Sequence, residues 1–108
     1  MDDESLLNDF LEAAAMEPND PLVLFGLASE YLKLNRFDEA VSTAQQLIQV
    51  QRDYSAAYRL LGQAYSGKGD NEAAIRTYGA GIAIAEEKGD LQTKKEMEVF
   101  LHRLQKTE

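Results

Sequence analysis

Cysteine and tryptophan are absent from this chain of 108 residues, and histidine occurs once. Without cysteine there is no disulfide bond and no thiolate metal site, and with a single imidazole a zinc site would need mostly carboxylate ligands. The sequence therefore predicts neither a structural metal nor a cofactor. No window approaches the roughly 18 consecutive apolar residues of a membrane-spanning helix, and the acidic N-terminus is unlike a signal peptide. We expect a cytoplasmic protein.

Basic residues are missing from the first third of the chain. Residues 1–32 hold eight acidic side chains and neither lysine nor arginine, whereas the remainder holds eleven of each sign, so the whole net charge of −8 lies in that first third. The acidic segment would repel a phosphate backbone, which disfavours nucleic-acid binding. It either attracts a basic partner or keeps one end of the molecule soluble, and we favour the second interpretation.

The sequence repeats itself with a period of 34 residues. Five residues recur unchanged at that offset: Leu27, Tyr31, Ala40, Thr43 and Ile48 reappear as Leu61, Tyr65, Ala74, Thr77 and Ile82. A period of this length is typical of one supersecondary unit stacked on copies of itself, with a core only where neighbouring units touch. Function is then expected on a shared surface, and not in a buried catalytic pocket.

Each repeated unit has the pattern of two helices. Asp20 and Pro21 form a start signal, because the carboxylate accepts from a free N–H and proline lacks the N–H that would have no partner there. Apolar residues then recur with the i, i+3, i+4, i+7 spacing of one helix face. That face consists of Leu24, Leu27, Ala28 and Tyr31. The same kinds of signal predict six helices in all.

With its residues in this arrangement, the chain resembles a tetratricopeptide repeat (TPR) protein, like the small stand-alone members found in bacteria. The family pattern, aromatic-x-x-Leu-Gly-x-x-Tyr and then Ala-x-x-x-Phe, is matched in the second unit by Tyr58, Leu61, Gly62, Tyr65, Ala74 and Tyr78. The first unit matches it with Leu24, Leu27, Ala28, Tyr31 and Ala40. Ala44 stands where the family has an aromatic residue. The resemblance implies an all-α solenoid of antiparallel helix pairs.

The resemblance also implies one domain over residues 1–108. It would consist of a half-repeat helix (4–17), a first repeat (21–54), a second repeat (55–88) and a capping helix (90–106). The capping helix carries Met97, Phe100, Leu101 and Leu104 at helical spacing. We expect these side chains to seal the apolar side of the second repeat, as the end of a solenoid requires.

In this family the first helix of each repeat lines a concave groove, so the resemblance implies a partner-binding surface beside the packing stripes. The expected groove residues are Leu22, Phe25, Ser29, Leu32, Arg59 and Gln63. Phe25 and Leu32 are apolar where the core does not require them, which indicates a patch for a partner. The alternative is that the terminal helices cover both residues. The groove does not match the family's carboxylate-clamp variant, so an adaptor for chaperone tails is not expected.

Two functions of different classes remain open. In the first, the protein is an adaptor whose groove binds a peptide or helix of a partner of unknown identity. In the second, it is a structural module that oligomerises through open repeat ends. Enzyme activity is not expected, because no serine or cysteine nucleophile can be paired by spacing with His102. The run from Gly62 to Lys68 nearly matches a phosphate-binding loop, but Gly69 follows where that loop needs Ser or Thr.

Overall fold

The computed structural model describes residues 4–107, and every regular element in that range is a helix. The helices are α1 (Ser5–Met16), α2 (Pro21–Lys33), α3 (Phe37–Val50), α4 (Ser55–Gly67), α5 (Asn71–Lys88) and α6 (Leu91–Thr107). The prediction of an all-α fold with six helices is confirmed.

Local signals set the ends of several helices. The Asp20 carboxylate accepts a hydrogen bond from the Leu22 N–H at 2.9 Å, with Pro21 at the first helical position. Asn35 and Gly89, which follow α2 and α5, have φ of 59° and 72°, the left-handed conformation that ends a helix. Gly67 is the last residue of α4, and Gly69, two residues later, has a φ of 85°.

Alternate helices form one layer of the molecule. Each helix packs against the next, and in addition α2 contacts α4 and α4 contacts α6. No such contact joins α1 to α3, or α3 to α5, within the described part of the chain. The solenoid is therefore tighter on the side of α2, α4 and α6, which makes these three helices its inner layer, and α1, α3 and α5 its outer layer.

The core lies between the two layers, where the repeated small residues allow close approach. Ala40 and Ala74, which occupy equivalent positions, are 1% and 0% exposed. A Cβ atom on Gly62 would collide with the ring of buried Tyr78, and one on Gly81 would lie 2.5 Å from Cβ of Tyr58. Without a Cβ at these two positions, neighbouring helices pack against each other's backbone.

Helix α6 covers the apolar side of α5. Met97 is fully buried in a cluster with Ala74, Tyr78 and Ala85, and Phe100, Leu101 and Leu104 pack against this cluster. The Asp90 carboxylate accepts from the Thr93 N–H at 3.2 Å and from the Ser55 hydroxyl at 2.7 Å. The start of α6 is thereby tied to the start of α4. The division of the chain into repeats and a cap stays a prediction.

Candidate protein-binding groove

All six residues expected in the groove lie on α2 and α4, two helices of the inner layer. Leu22, in the first turn of α2, is 76% exposed. The other five are half-buried: Phe25, Ser29, Leu32, Arg59 and Gln63. The predicted surface therefore consists of one exposed apolar side chain at the start of α2 and a floor, which is formed by the five half-buried side chains along α2 and α4.

Phe25 belongs partly to the core. Its ring stacks on the ring of Tyr54, which precedes α4, with centroids 5.6 Å apart and planes inclined by 3°. The ring also packs against two buried core clusters, one that contains Leu24 and one that contains Ala28. In both clusters residues of α2 meet residues of α3 and α4. Leu32 packs in the same manner against two core clusters. Both side chains shape the floor of the inner layer and do not project from it.

Arg59 connects α4 to α6. Its Nη1 donates to Oε1 of Gln63 at 3.3 Å, and its Nε lies 3.5 Å from Oε1 of Glu96 on α6. The Nε atom is buried and makes no hydrogen bond within the described residues. Both contacts are long for charge-assisted hydrogen bonds, which are usually about 2.7–2.9 Å. The guanidinium thus keeps unused hydrogen-bonding capacity between the two helices.

Glu96 was not among the predicted groove residues. It lies three residues after Thr93 and four before Phe100, and this spacing puts all three residues on one helix face. Phe100 was expected to seal the second repeat, so the face of α6 that it shares with Glu96 was expected to lie against that repeat. The spacing could therefore have indicated that Glu96 faces α4 or α5, but not that Arg59 is its partner.

A cavity of about 420 Å³ opens between α4 and α6, beyond the Arg59–Glu96 pair; we call it the α4–α6 cavity. It is lined by Gln63, Ser66, Gly67, Tyr78, Phe100, Arg103 and Leu104. Aromatic and aliphatic side chains form its walls, whereas its polar side chains are an amide, two hydroxyls and a guanidinium. Burial raises the pKa of Tyr78 far above its usual value, so its hydroxyl stays neutral. No carboxylate lines the cavity.

Between residues 4 and 107 no group of His, Asp and Glu side chains is placed to hold a metal ion. None of the helices described there is both long enough and apolar enough to cross a membrane. His102 is exposed on α6.

Comparison with protein families agrees with the layered geometry. Two family models, each described as tetratricopeptide repeat, match residues 7–64 and 57–92. The chain belongs to the TPR family. A TPR repeat-containing protein of Pseudomonas aeruginosa is 36% identical over 86 residues, which span 80% of this chain and 82% of that protein. The Hsp70-Hsp90 organizing protein of Triticum aestivum is 25% identical over 75% of this chain, but only 14% of its own length is matched.

Two solved structures have the same arrangement of helices. The solution structure of a Bordetella parapertussis protein superposes with a TM-score of 0.85 at 29% identity, covering 95% of this chain and 90% of that one. The crystal structure of a TPR domain protein from Salinibacter ruber gives a TM-score of 0.75 at 29% identity, with 82% and 100% covered. The resemblance to small stand-alone TPR proteins is confirmed.

Proposed function

We propose that the protein is a non-catalytic interaction module whose inner layer binds a peptide or helix of another protein. The TPR fold is that of protein–protein interaction modules in general. The name of the matched wheat protein associates that relative with Hsp70 and Hsp90, which supports a protein as the class of partner. The observation that carries the proposal is the inner layer itself, where the exposed Leu22 lies on α2 and the buried Nε of Arg59, on neighbouring α4, makes no hydrogen bond within the described residues.

The six predicted residues have different roles in this proposal. Leu22 supplies apolar contact area that is open to a partner, since 76% of it is exposed. Ser29 and Gln63 line the floor, where they form hydrogen bonds to a peptide backbone. Arg59 supplies orientation, because a planar cation forms directed hydrogen bonds with carbonyl and carboxylate groups. Phe25 and Leu32 hold the floor in shape.

The test is capture of a partner on the immobilised chain from native lysate, with its identity determined by mass spectrometry and its affinity then measured by calorimetry. We expect Leu22→Glu to weaken binding about tenfold or more, as loss of an interface anchor does. Leu11→Glu is the control, because Leu11 is 40% exposed on outer helix α1. If Leu11→Glu abolishes binding and Leu22→Glu has no effect, the partner binds the outer layer and the proposal is wrong.

The second candidate function, self-assembly, is favoured by the two end helices. Leu6 on α1 is 47% exposed, and Leu91 and Val99 on α6 are 60% and 48% exposed. The ends also differ in charge: α1 carries two acids and no base, whereas α6 carries four Lys or Arg side chains and two acids. Apolar groups and opposite charge at the two ends would support head-to-tail contact between copies.

A further inference from the structure

We propose that α6 of one molecule binds α1 of a second copy, and that the two helices together form one complete repeat. The inference rests on the second candidate function, self-assembly, whose interface it specifies, and it does not depend on binding at the inner layer. Among the described helices, α1 contacts only α2, whereas α6 contacts only α4 and α5. Within residues 4–107, outer helix α1 thus has no inner helix on its other side, and inner helix α6 has no outer helix after it.

An exposed stripe runs along α6. Its residues follow each other at i, i+4 and i+7, and they are Lys95, Val99 and His102. They line a shallow groove of about 460 Å³, which Glu98 and Arg103 complete. Val99 at the middle of the stripe is 48% exposed. The groove is therefore an open strip along the helix, long enough to receive a second helix.

The second repeat shows how a stripe with this spacing receives an outer helix. Inner helix α4 packs on outer helix α5 through three residues at i, i+4 and i+7. The contacting pairs are Tyr58 with Gly81, Gly62 with Tyr78, and Tyr65 with the cluster of Ala74. The residue numbers rise on α4 and fall on α5, so the two helices are antiparallel. The same arrangement can be applied to α6 and α1.

Helix α1 carries the matching positions. Two periods of 34 residues before Gly81, Tyr78 and Ala74 stand Ala13, Phe10 and Leu6. Leu6 is 47% exposed, and the other two are half-buried. Docking in the α4–α5 manner sets three pairs in contact across the copies: Lys95 with Ala13, Val99 with Phe10, and His102 with Leu6. Val99 then covers the open part of a ring, and the lysine stem lies over a small residue.

Charge favours this occupant over another outer helix. The groove on α6 contains Lys95 and Arg103 against one acid, and neither base forms an ion pair with a described residue. Helix α1 has two acids and no base. One of them, Asp9, stands 34 residues before Thr43, which is only 8% exposed beside its inner helix. Docking therefore draws the Asp9 carboxylate into a contact whose other side is basic.

The contact joins different surfaces of the two molecules. Each molecule has one α1 face and one α6 face, so the interface is heterologous and leaves a free face at each end of every assembly. The second copy continues the alternation of inner and outer helices. We therefore expect assemblies that lengthen with concentration and do not stop at a dimer.

Two variants, each altered on one face, test the interface. Asp9→Lys puts a base against the basic side of α6, and Val99→Glu puts a charge against Phe10. We expect each variant alone to be monomeric by light scattering at about 1 mM, where the wild type exceeds the mass of a dimer. An equimolar mixture should reach the mass of a dimer and go no higher, because only one unaltered α1 face and one unaltered α6 face can meet.

The controls carry the same changes away from both faces. Glu72→Lys on α5 and Val50→Glu at the end of α3 alter exposed residues of the outer layer, and they should assemble as the wild type does. Melting temperatures of all four variants should stay close to the wild-type value, because every replaced side chain is exposed. If the mixture stays monomeric, or if Asp9→Lys alone still associates, then α6 does not bind α1 and the inference is wrong.

The outcomes separate this interface from the proposed functions. If the wild-type mass rises with concentration but the two variants assemble as well as the controls do, self-assembly stands and the α1–α6 interface is wrong. If the mixture forms the dimer while a captured partner is indifferent to Leu22, the α1–α6 interface stands and binding at the inner layer is wrong.

Discussion

Glycines 62 and 79 lie in helices, but they have opposite surroundings. A Cβ atom on Gly62 would lie 2.6 Å from Cδ1 of Tyr78, whose side chain is buried. A Cβ atom on Gly79 would have nothing within 4 Å. The same substitution at these two positions therefore separates a packing cost from the gain in helix propensity.

We expect Gly62→Ala to lower the free energy of unfolding by about 1–3 kcal/mol, because overpacking exceeds the propensity gain. Gly79→Ala is expected to raise it by about 0.5–1 kcal/mol, since alanine restricts the unfolded chain and meets no obstacle in the helix. Urea denaturation followed by circular dichroism measures both values. Equal effects at the two sites would mean that Tyr78 does not pack on Gly62 as the structure has it.

Phe25 is a second residue whose substitution has a predictable cost. Because its ring stacks on Tyr54 and packs against two core clusters, Phe25→Ala should destabilise the protein by about 1–3 kcal/mol. Leu22→Ala, at a position that is 76% exposed, should change stability by less than about 0.5 kcal/mol. Thermal melts of both variants test this. An unchanged melting temperature for Phe25→Ala would restore Phe25 as an open anchor for a partner.

At the scale of single helices, the start of α6 is sensitive to pH. Hydrogen bonds from Ser55 and Thr93 hold the pKa of Asp90 below its usual value. A carboxyl group whose pKa is lower in the folded state stabilises the fold above its unfolded pKa of about 3.9, and that contribution is lost as the pH falls through the folded value. Asp90 therefore contributes to the loss of stability in acid.

Asp90→Asn tests this contribution, since asparagine does not titrate and its single carbonyl oxygen still accepts from the Thr93 N–H. Its NH2 group then faces the Ser55 hydroxyl and donates to it, so the bond that the second carboxylate oxygen accepts is lost. We expect the variant to be less stable than the wild type at about pH 7 and to lose less stability between about pH 5 and pH 2. Asp9→Asn, on an exposed face of α1, controls for the loss of one negative charge. The measurement is the unfolding free energy across this pH range. Parallel pH profiles for wild type and Asp90→Asn would contradict the prediction.

The helices could be predicted from the sequence more easily than the contacts between them. The helix start at Asp20 and the stop at Gly89 were predictable, because capping depends on residues within one turn. The pairing of helices followed from the period of 34. The Arg59–Glu96 contact joins residues 37 apart, and it depends on how α6 is placed along α4. No repeated residue pair specifies that placement, so neither the contact nor the cavity beyond it was predicted.

The interpretation of Phe25 shows a related limit. Its position beside the packing stripe was assigned from the helical period alone. That period gives the direction in which a side chain leaves its own helix, but not which other segments it contacts. Tyr54 lies outside both flanking helices, in the segment between α3 and α4. The stack of the two rings depends on the path of that segment, and helical periodicity does not determine the path of a connection.

For the whole molecule, the opposite charges of the end helices make self-assembly measurable. Head-to-tail contact predicts a mass that rises with protein concentration in light scattering, and that falls when salt screens the charges. Leu6→Glu should lower the mass at high concentration, and Leu22→Glu, on the inner layer, is the control. A monomer mass at every concentration and at low salt would remove self-assembly as the function.

The two repeats fill the same interior space with different pairs of side chains. Gly62 meets Tyr78 in one, whereas Ala28 and Ala44 share a core cluster at the same positions of the other. The missing methyl group of Gly62 leaves room for the ring of Tyr78, whereas Ala28 and Ala44 fill the equivalent space with two methyl groups. Ala44 is therefore half of a matched pair and not a degenerate copy of the family pattern. A larger residue at one member of such a pair therefore requires a smaller one at the other.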